Sequence, residues 1–308
     1  MTADGDRIEL VVGAVAHGGH CVARIGGAGG RVVFVRHALP GERVVAEVTE
    51  VRPGYLRADA VEVVEAAPDR VEPPCPWARP GACGGCDVQH VAREAQLAWK
   101  AAVVREQFAR LAGIDVDVRV AALPGSALGW RSRVRYAVDA AGRPGLFQHR
   151  SYAVVPVDRC RIAHPAIQEL PVLARRWPDD DAVEVVASST GDVAVLAGRG
   201  PGGAGGAVVE AAVGRRWSLD PRAFWQVHPA APDTLAGAVL DLLAPAPGET
   251  AWDLYGGAGL FASALAGPVG LTGSVAVVEA AGRGVAAARA NLGDLPQVRV
   301  VAAPVEEA

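Results

Sequence analysis

No run of about 18 consecutive apolar residues occurs in the chain, so no segment is expected to span a membrane. The N-terminus, Met1-Thr-Ala-Asp4-Gly-Asp6, is acidic and lacks an apolar core, so it does not read as a signal peptide. The expected compartment is therefore the cytoplasm. Lysine is nearly missing: Lys100 is the single exception among 30 basic residues, all the others being arginine. Codon bias in a GC-rich genome accounts for that, and the Arg excess carries little functional weight by itself. The glycine-rich stretch 198–206 has no strand–loop–helix pattern with a Lys, which excludes a P-loop there. A general excess of positive charge is also lacking, since the net charge of −4 argues against a basic nucleic-acid coat. Cysteine is sparse, with five in 308 residues. In a reducing compartment these are expected as thiols or metal ligands and not as disulfides.

What is present is an ordinary globular composition, 51% hydrophobic and 21% charged, over a length that fits about two domains or slightly more. Charge is unevenly spread. Residues 1–66 carry 7 basic and 9 acidic groups, residues 67–165 carry 14 and 9, and residues 166–308 carry 9 and 16. The positive excess thus lies in the middle third, where a polyanion could dock. The same region holds Cys75, Cys83 and Cys86 within twelve residues, in a loop rich in Gly and Pro, and Cys160 farther on. Three clustered thiols and one distant thiol make a four-ligand set suited to a soft tetrahedral metal or an iron–sulfur cluster. The Cys83-Gly-Gly-Cys86 pair alone would read equally well as a redox pair.

Residues 7–66 read as four or five short β-strands separated by Gly-rich turns, which predicts a small OB-like barrel. Cys21 inside it is expected to be a small buried hydrophobe. Five prolines between Pro68 and Pro80 mark a boundary. Ala95, Leu97, Trp99, Val103, Val104, Phe108 and Leu111 recur at helical spacing, predicting one helix over 91–113 that stops at Gly113. Residues 114–225 look β-rich, with strand-like stretches at 116–122, 130–139, 153–157, 182–188 and 192–197. Arg131, Arg133 and Arg135 alternate along one of them, flanked by Trp130 and Tyr136. A strand would put the three on one face, either as an RNA phosphate contact or as a solvated face.

The last segment changes character. Thr250-Ala-Trp-Asp253-Leu-Tyr255 is a short strand, Gly256-Gly257-Ala-Gly259 a tight turn, and Leu260 onward a helix. A second strand ends in Glu279, a second helix spans 284–292, and a third strand spans 297–302. That β-α-β-α-β order opens a doubly wound sheet. Glycines at the first turn let a ligand approach the backbone, and an acid ending the second strand can accept ribose hydroxyls. Both NAD and S-adenosylmethionine use this pattern. Asp253 at the strand tip would repel a pyrophosphate, while it suits the cationic methionine end of S-adenosylmethionine.

These residues together resemble the S-adenosylmethionine-dependent RNA uracil-C5 methyltransferases of bacterial ribosomal RNA and tRNA. The resemblance runs in order along essentially the whole chain. It implies a multidomain α+β and α/β architecture: an OB-like TRAM barrel over 1–66, a β-rich iron–sulfur and RNA-binding region over 67–225, and the start of a Rossmann-like methyltransferase sheet over 226–308. The helix over 91–113 would pack on that sheet domain. It implies a [4Fe–4S] cluster on Cys75, Cys83, Cys86 and Cys160, S-adenosylmethionine on Gln226, Asp253, Tyr255, Gly256, Gly259, Leu260 and Glu279, and RNA on the strand of Arg131, Arg133 and Arg135. A monomer is the default expectation.

The chain departs from the family pattern in places. Seven residues separate Cys75 from Cys83, two more than expected, and Leu260 stands where a small polar residue is commoner. The family's cysteine nucleophile and glutamate base follow the third strand, and no residue of this chain matches either. The sequence therefore reads as a fragment ending before the catalytic half, with an apolar sheet edge left exposed. Two rivals come from other classes. One is a non-catalytic RNA-binding iron–sulfur protein. The other is a radical methylthiotransferase, which would need a Cys-x-x-x-Cys-x-x-Cys spacing that is absent. Zinc is the rival for the metal.

Overall fold

The computed structural model describes residues 3–27, 29–198 and 206–308. Most of the glycine-rich stretch 198–206 lies outside them. In chain order the first elements are β1 (Arg7–Ala16), β2 (His20–Ile25), β3 (Arg31–Arg36), β4 (Arg43–Val51), β5 (Tyr55–Glu65) and α1 (Arg93–Ala112). There follow β6 (Arg133–Val138), β7 (Pro144–Phe147), β8 (Val154–Pro156), α2 (Pro165–Gln168), β9 (Ala182–Ala187), β10 (Val193–Ala197), β11 (Val208–Ala212) and β12 (Arg215–Leu219). The last are α3 (Ala231–Leu243), β13 (Thr250–Leu254), α4 (Leu260–Val269), β14 (Ser274–Glu279), α5 (Gly282–Leu292) and β15 (Val298–Ala302). Two compact units divide the chain: Met1–Ala122 with Gly145–Val157, and Leu123–Pro144 with Asp158–Ala308.

In the first unit β1, β2, β3, β5 and β4 close into a barrel, as the alternating β-branched residues predict. Alternation works because successive side chains point to opposite faces, so Leu10, Val12, Val33, Val35, Val44, Ala46 and Val48 all reach the interior. Cys21 is fully buried there. Its Sγ donates to the Ala38 carbonyl at 3.4 Å, and burial pushes its thiol up to about 12, so it is the inert small residue expected. The barrel is sealed below by a buried carboxylate. Glu42 is 0% exposed and accepts from the backbone N–H of Leu39 at 2.8 Å and of Ala67 at 3.1 Å, and from Arg70 Nε at 2.5 Å and Nη2 at 2.6 Å.

The domain boundaries differ from the expectation. The cysteine loop and α1 belong to the barrel's unit, and Val91 and Trp99 are buried in the barrel core. The helix therefore packs on the barrel. It ends where predicted, with Gly113 at a φ of 67°, a conformation that glycine adopts without strain. Residues 116–122 form no strand, although Val116, Val118 and Val120 alternate with polar residues; alternation alone is not a strand when no partner offers its backbone groups.

In the second unit β6, β9 and β10 pair antiparallel, and β11 and β12 form a hairpin that sequence reading missed. β13, β14 and β15 run parallel in that order, with α4 and α5 as crossovers. This is the predicted opening of a doubly wound sheet. Its core joins Ala262, Leu265, Ala266, Val275, Val277 and Leu292 to the aromatic pair Trp217 and Trp225, whose rings lie 5.4 Å apart. β13 is an edge strand, and Trp252 and Leu254 on it are exposed, 58% and 44%. No helix of the described residues is long and apolar enough to cross a membrane.

Candidate functional site

The site is built where the parallel strands of the second unit end. β13 brings Asp253 near its tip with the side chain turned inward, and β14 ends in Glu279, two residues beyond Val277, the partner of Asp253. Between β13 and α4 the backbone must turn within a few residues. Tyr255 has φ 58°, Gly257 55° and Gly259 87°, so the turn is made of left-handed steps. A side chain at Gly256 would come within 2.7 Å of Val277 and 3.0 Å of the Asp253 carbonyl, which is why this position carries none.

The two carboxylates hold the turn. Asp253 is 6% exposed, and its Oδ2 accepts from the Ala262 N–H at 2.9 Å, at the amino end of α4 where backbone donors point outward. Burial pushes its carboxyl above the usual range; the Ala262 N–H opposes this, and the neighbouring charge of Glu279 adds to it. Glu279 accepts from the Gly257 N–H at 2.8 Å and from the Ala281 N–H at 2.6 Å. Asp253 therefore anchors the start of α4, and Glu279 anchors Gly257 in the turn before it. Tyr255 stands beside it, 76% exposed and open to a ligand.

Two predicted residues fall differently. Leu260 is 7% exposed and packed in the hydrophobic core, so its side chain supports the turn from beneath and does not face a ligand. Gln226 lies on the wall of a cavity of about 280 Å³, with Ser132, His164, Ser188 and Glu210. Its neighbour Trp225 shares a core with Ala258 and Leu260, which ties that segment to the turn.

The arginine strand needs correcting. Arg133 is drawn inward: it donates to the carbonyls of Pro221 at 2.9 Å and Ala223 at 3.0 Å and pairs with Glu210 at 3.2 Å. Arg131 donates to the Arg133 carbonyl at 3.2 Å. Only Arg135 stands on an open face, paired with Glu184 at 2.8 Å. The three do not form a solvent-facing row. Sequence alternation assigned them to one side of a strand, and the residues packed over that side decided their use.

The four predicted ligands divide between the units, Cys75, Cys83 and Cys86 in the first and Cys160 in the second. No disulfide joins them. Hydrogen bonds from the Cys83 N–H to the Trp77 carbonyl, 3.1 Å, and from the Ala78 N–H to the Cys75 carbonyl, 3.0 Å, fold the loop on itself. Among the described residues, however, no group of three or more His, Cys, Asp or Glu is arranged to hold a metal ion.

Residues 2–61 match the TRAM domain family model. An uncharacterized RNA methyltransferase of Streptomyces avermitilis is 44% identical, over 98% of this chain and 79% of that protein. The 23S rRNA (uracil(1939)-C(5))-methyltransferase RlmD of Alkalilimnicola ehrlichii is 31% identical, over 88% of this chain and 72% of its own length. The chain belongs to the RNA uracil-C5 methyltransferase family. The solved structure of the Pyrococcus abyssi tRNA (uracil-54, C5)-methyltransferase covers 95% of this chain and 79% of its own, with a TM-score of 0.66 at 18% identity, which shows a shared fold. Membership of the uracil-C5 methyltransferases, with the TRAM match, accounts for the barrel that opens the chain. It leaves unassigned the two features that sequence reading missed altogether, the buried Glu42–Arg70 pair and a group of arginines and histidines on the barrel. Both are built from residues distant in sequence, so no local pattern announced them.

Proposed function

We propose that this chain binds S-adenosylmethionine at the tips of β13 and β14 and serves the methylation of uridine C5 in ribosomal RNA or tRNA. The observation that carries the reading is the carboxylate pair tied to the glycine turn: Glu279 on the Gly257 N–H and Asp253 on the Ala262 N–H. Glu279 would exchange a backbone donor for ribose hydroxyls. Asp253 would face the cationic methionine end, and its burial makes that charge pairing strong. Tyr255 would cover the open side. Bound S-adenosylmethionine supplies an electrophilic methyl group.

Uracil C5 becomes nucleophilic when a thiolate adds to C6, and a base afterwards removes the C5 proton as the thiol is expelled. No residue of this chain is assigned either role. Cys21, the one cysteine outside the proposed ligand set, is sealed in the barrel with its thiol pushed up to about 12, far from a usable thiolate. The second reading is a non-catalytic RNA-binding iron–sulfur protein. Transfer of labelled methyl from S-adenosylmethionine to uridine-containing RNA separates the two. Incorporation at C5 establishes the first, while RNA binding without incorporation establishes the second. Failure to bind S-adenosylmethionine at all refutes the assignment of the turn. The intact mass of the protein from its native cell, set against that of these 308 residues, tests whether the polypeptide continues.

The [4Fe–4S] assignment for Cys75, Cys83, Cys86 and Cys160 is likewise proposed on the clustering of thiols in a Gly- and Pro-rich loop. Iron and sulfide analysis of an anaerobic preparation decides it: a colourless, zinc-loaded protein would overturn it.

A further inference from the structure

The first unit carries a cavity of about 480 Å³ between β3, β5, the cysteine loop and the turn after β7. Five arginines line it, Arg36, Arg52, Arg57, Arg79 and Arg150, together with His20 and His149, against two acids, Glu50 and Asp59. Glu50 is held by Arg52 at 2.5 Å and Arg57 at 2.9 Å. Asp59 is pushed by burial toward its neutral form. The positive charge is therefore not cancelled within the cavity.

Two nitrogens of its lining residues have neither a hydrogen bond nor an ion pair. The Arg36 side chain is 5% exposed and donates through Nη2 to Asp87 at 2.8 Å, yet its buried Nε has no hydrogen-bond partner. The buried Nε2 of His149 has none either. Burial leaves His20 and His149 neutral near pH 7, so an imidazole can offer one N–H without adding charge. An unsatisfied buried polar nitrogen costs about 1–3 kcal/mol and more when charged, so two on residues lining one basic cavity point to an anion as the missing partner.

The cavity does not end as an isolated pit. His20, Arg57 and Arg150 also line a second cavity, of about 1000 Å³, which adds Arg24, Arg110 and the ring of Phe34. The Arg57 guanidinium sits over Tyr55 at 5.3 Å and Phe34 at 5.8 Å, which fixes its plane. A small inorganic anion needs only the first cavity. A track of arginines running past an aromatic ring suits a strand of linked phosphates with bases between them.

We propose that this basic cavity seats a backbone phosphate of single-stranded RNA, with Arg36, Arg57, Arg150 and His149 as its donors and the strand leaving past Phe34. The proposal rests on RNA being the substrate, and it adds a contact in the barrel unit independent of the cofactor turn.

The test is fluorescence anisotropy with a labelled uridine-containing single-stranded RNA, between 50 and 200 mM salt, on the full chain and on R57Q/R150Q. Each lost phosphate contact lowers the slope of log K against log salt by about 0.7. The double variant releases that one phosphate and should therefore lose about 0.7 in slope and about 5-fold in affinity near 0.1 M salt. The loss should be equal across RNA sequences, and R150K should retain most of the affinity of the unaltered chain. Unaltered amide hydrogen exchange in the barrel and unaltered S-adenosylmethionine binding show that both units remain folded. Equal slopes for the variant and the unaltered chain would overturn the phosphate seat while leaving the methyltransferase reading intact. Inorganic phosphate binding that the variant loses, with RNA affinity untouched, would overturn the RNA assignment in favour of a free anion. If the unaltered chain binds no RNA, both readings fall.

Discussion

Glu42→Ala should be among the most destabilising single changes in the barrel. The carboxylate is 0% exposed and satisfies four donors, the Leu39 and Ala67 N–H groups and two nitrogens of Arg70. Removing it strands two backbone donors, at about 1–3 kcal/mol each when fully buried, and leaves a mostly buried guanidinium without its counter-charge. Breaking one side of a buried ion pair costs about 3–5 kcal/mol, and the hydrogen-bond count arrives at the same range. Against a domain stability of about 5–15 kcal/mol, that is a third or more of the total. Because the chain has two compact units, a single unfolding midpoint would mix them. Hydrogen exchange read by peptide mass resolves the units. Amides of β1 and β4 should lose about 3–5 kcal/mol of protection in Glu42→Ala, while those of α4 and α5 keep theirs. Burial opposes the ionised form of Glu42, but the Arg70 and backbone hydrogen bonds outweigh it and hold the carboxyl below its ordinary range. The stabilisation is therefore complete above the ordinary carboxylate value and fades as pH falls through the lower folded value. Pairing the change with Arg70→Met should restore much of the loss, since an apolar pair replaces an orphaned charge. A loss under about 1 kcal/mol, or a double variant as weak as the single one, would refute the account.

Three further outcomes follow from the same geometry. Glu279→Gln should weaken S-adenosylmethionine binding about 10-fold or more, the worth of a hydrogen bond to a charged group, with calorimetric titration as the check and unchanged affinity as the refuting result. His20, His37 and His90 are buried and held neutral, with values lowered to about 4, 3 and 4 by burial first and nearby arginines second, the adjacent His90 lowering His37 further. The unfolded chain binds those protons near pH 6.5 and the folded one does not, so the barrel unit should lose stability steadily from pH 6.5 to 4; denaturant midpoints that stay flat over that range would contradict it. Arg133→Gln should cost about 3 kcal/mol of stability in the second unit, because Glu210 loses its partner, yet leave the salt slope of RNA binding unchanged; a lower slope without destabilisation would return Arg133 to an RNA role.

The sequence by itself determined everything that depends on local pattern. Period-two alternation located the barrel strands, helical spacing and Gly113 bounded α1, and the order strand, glycine turn, helix, acid-ended strand located Asp253, Gly256 and Glu279 at one ligand-sized turn. These are short-range consequences of side-chain period and backbone freedom. Tertiary structure decided what neighbours do. Whether Arg133 faces solvent or Glu210 depends on β11, seventy residues away and invisible to any window of sequence. Leu260 looked like a cofactor contact from its place in a motif, but helix packing turned it into the core. Glu42 lies in a stretch that reads only as barrel strand and turn, while its burial depends on Arg70 and Ala67 folding back over it. The basic cavity draws Arg36, Arg57 and Arg150 from three separate elements, so its charge exists only once the chain has closed on itself. Local period fixes which way a side chain points; long-range packing fixes what it meets there.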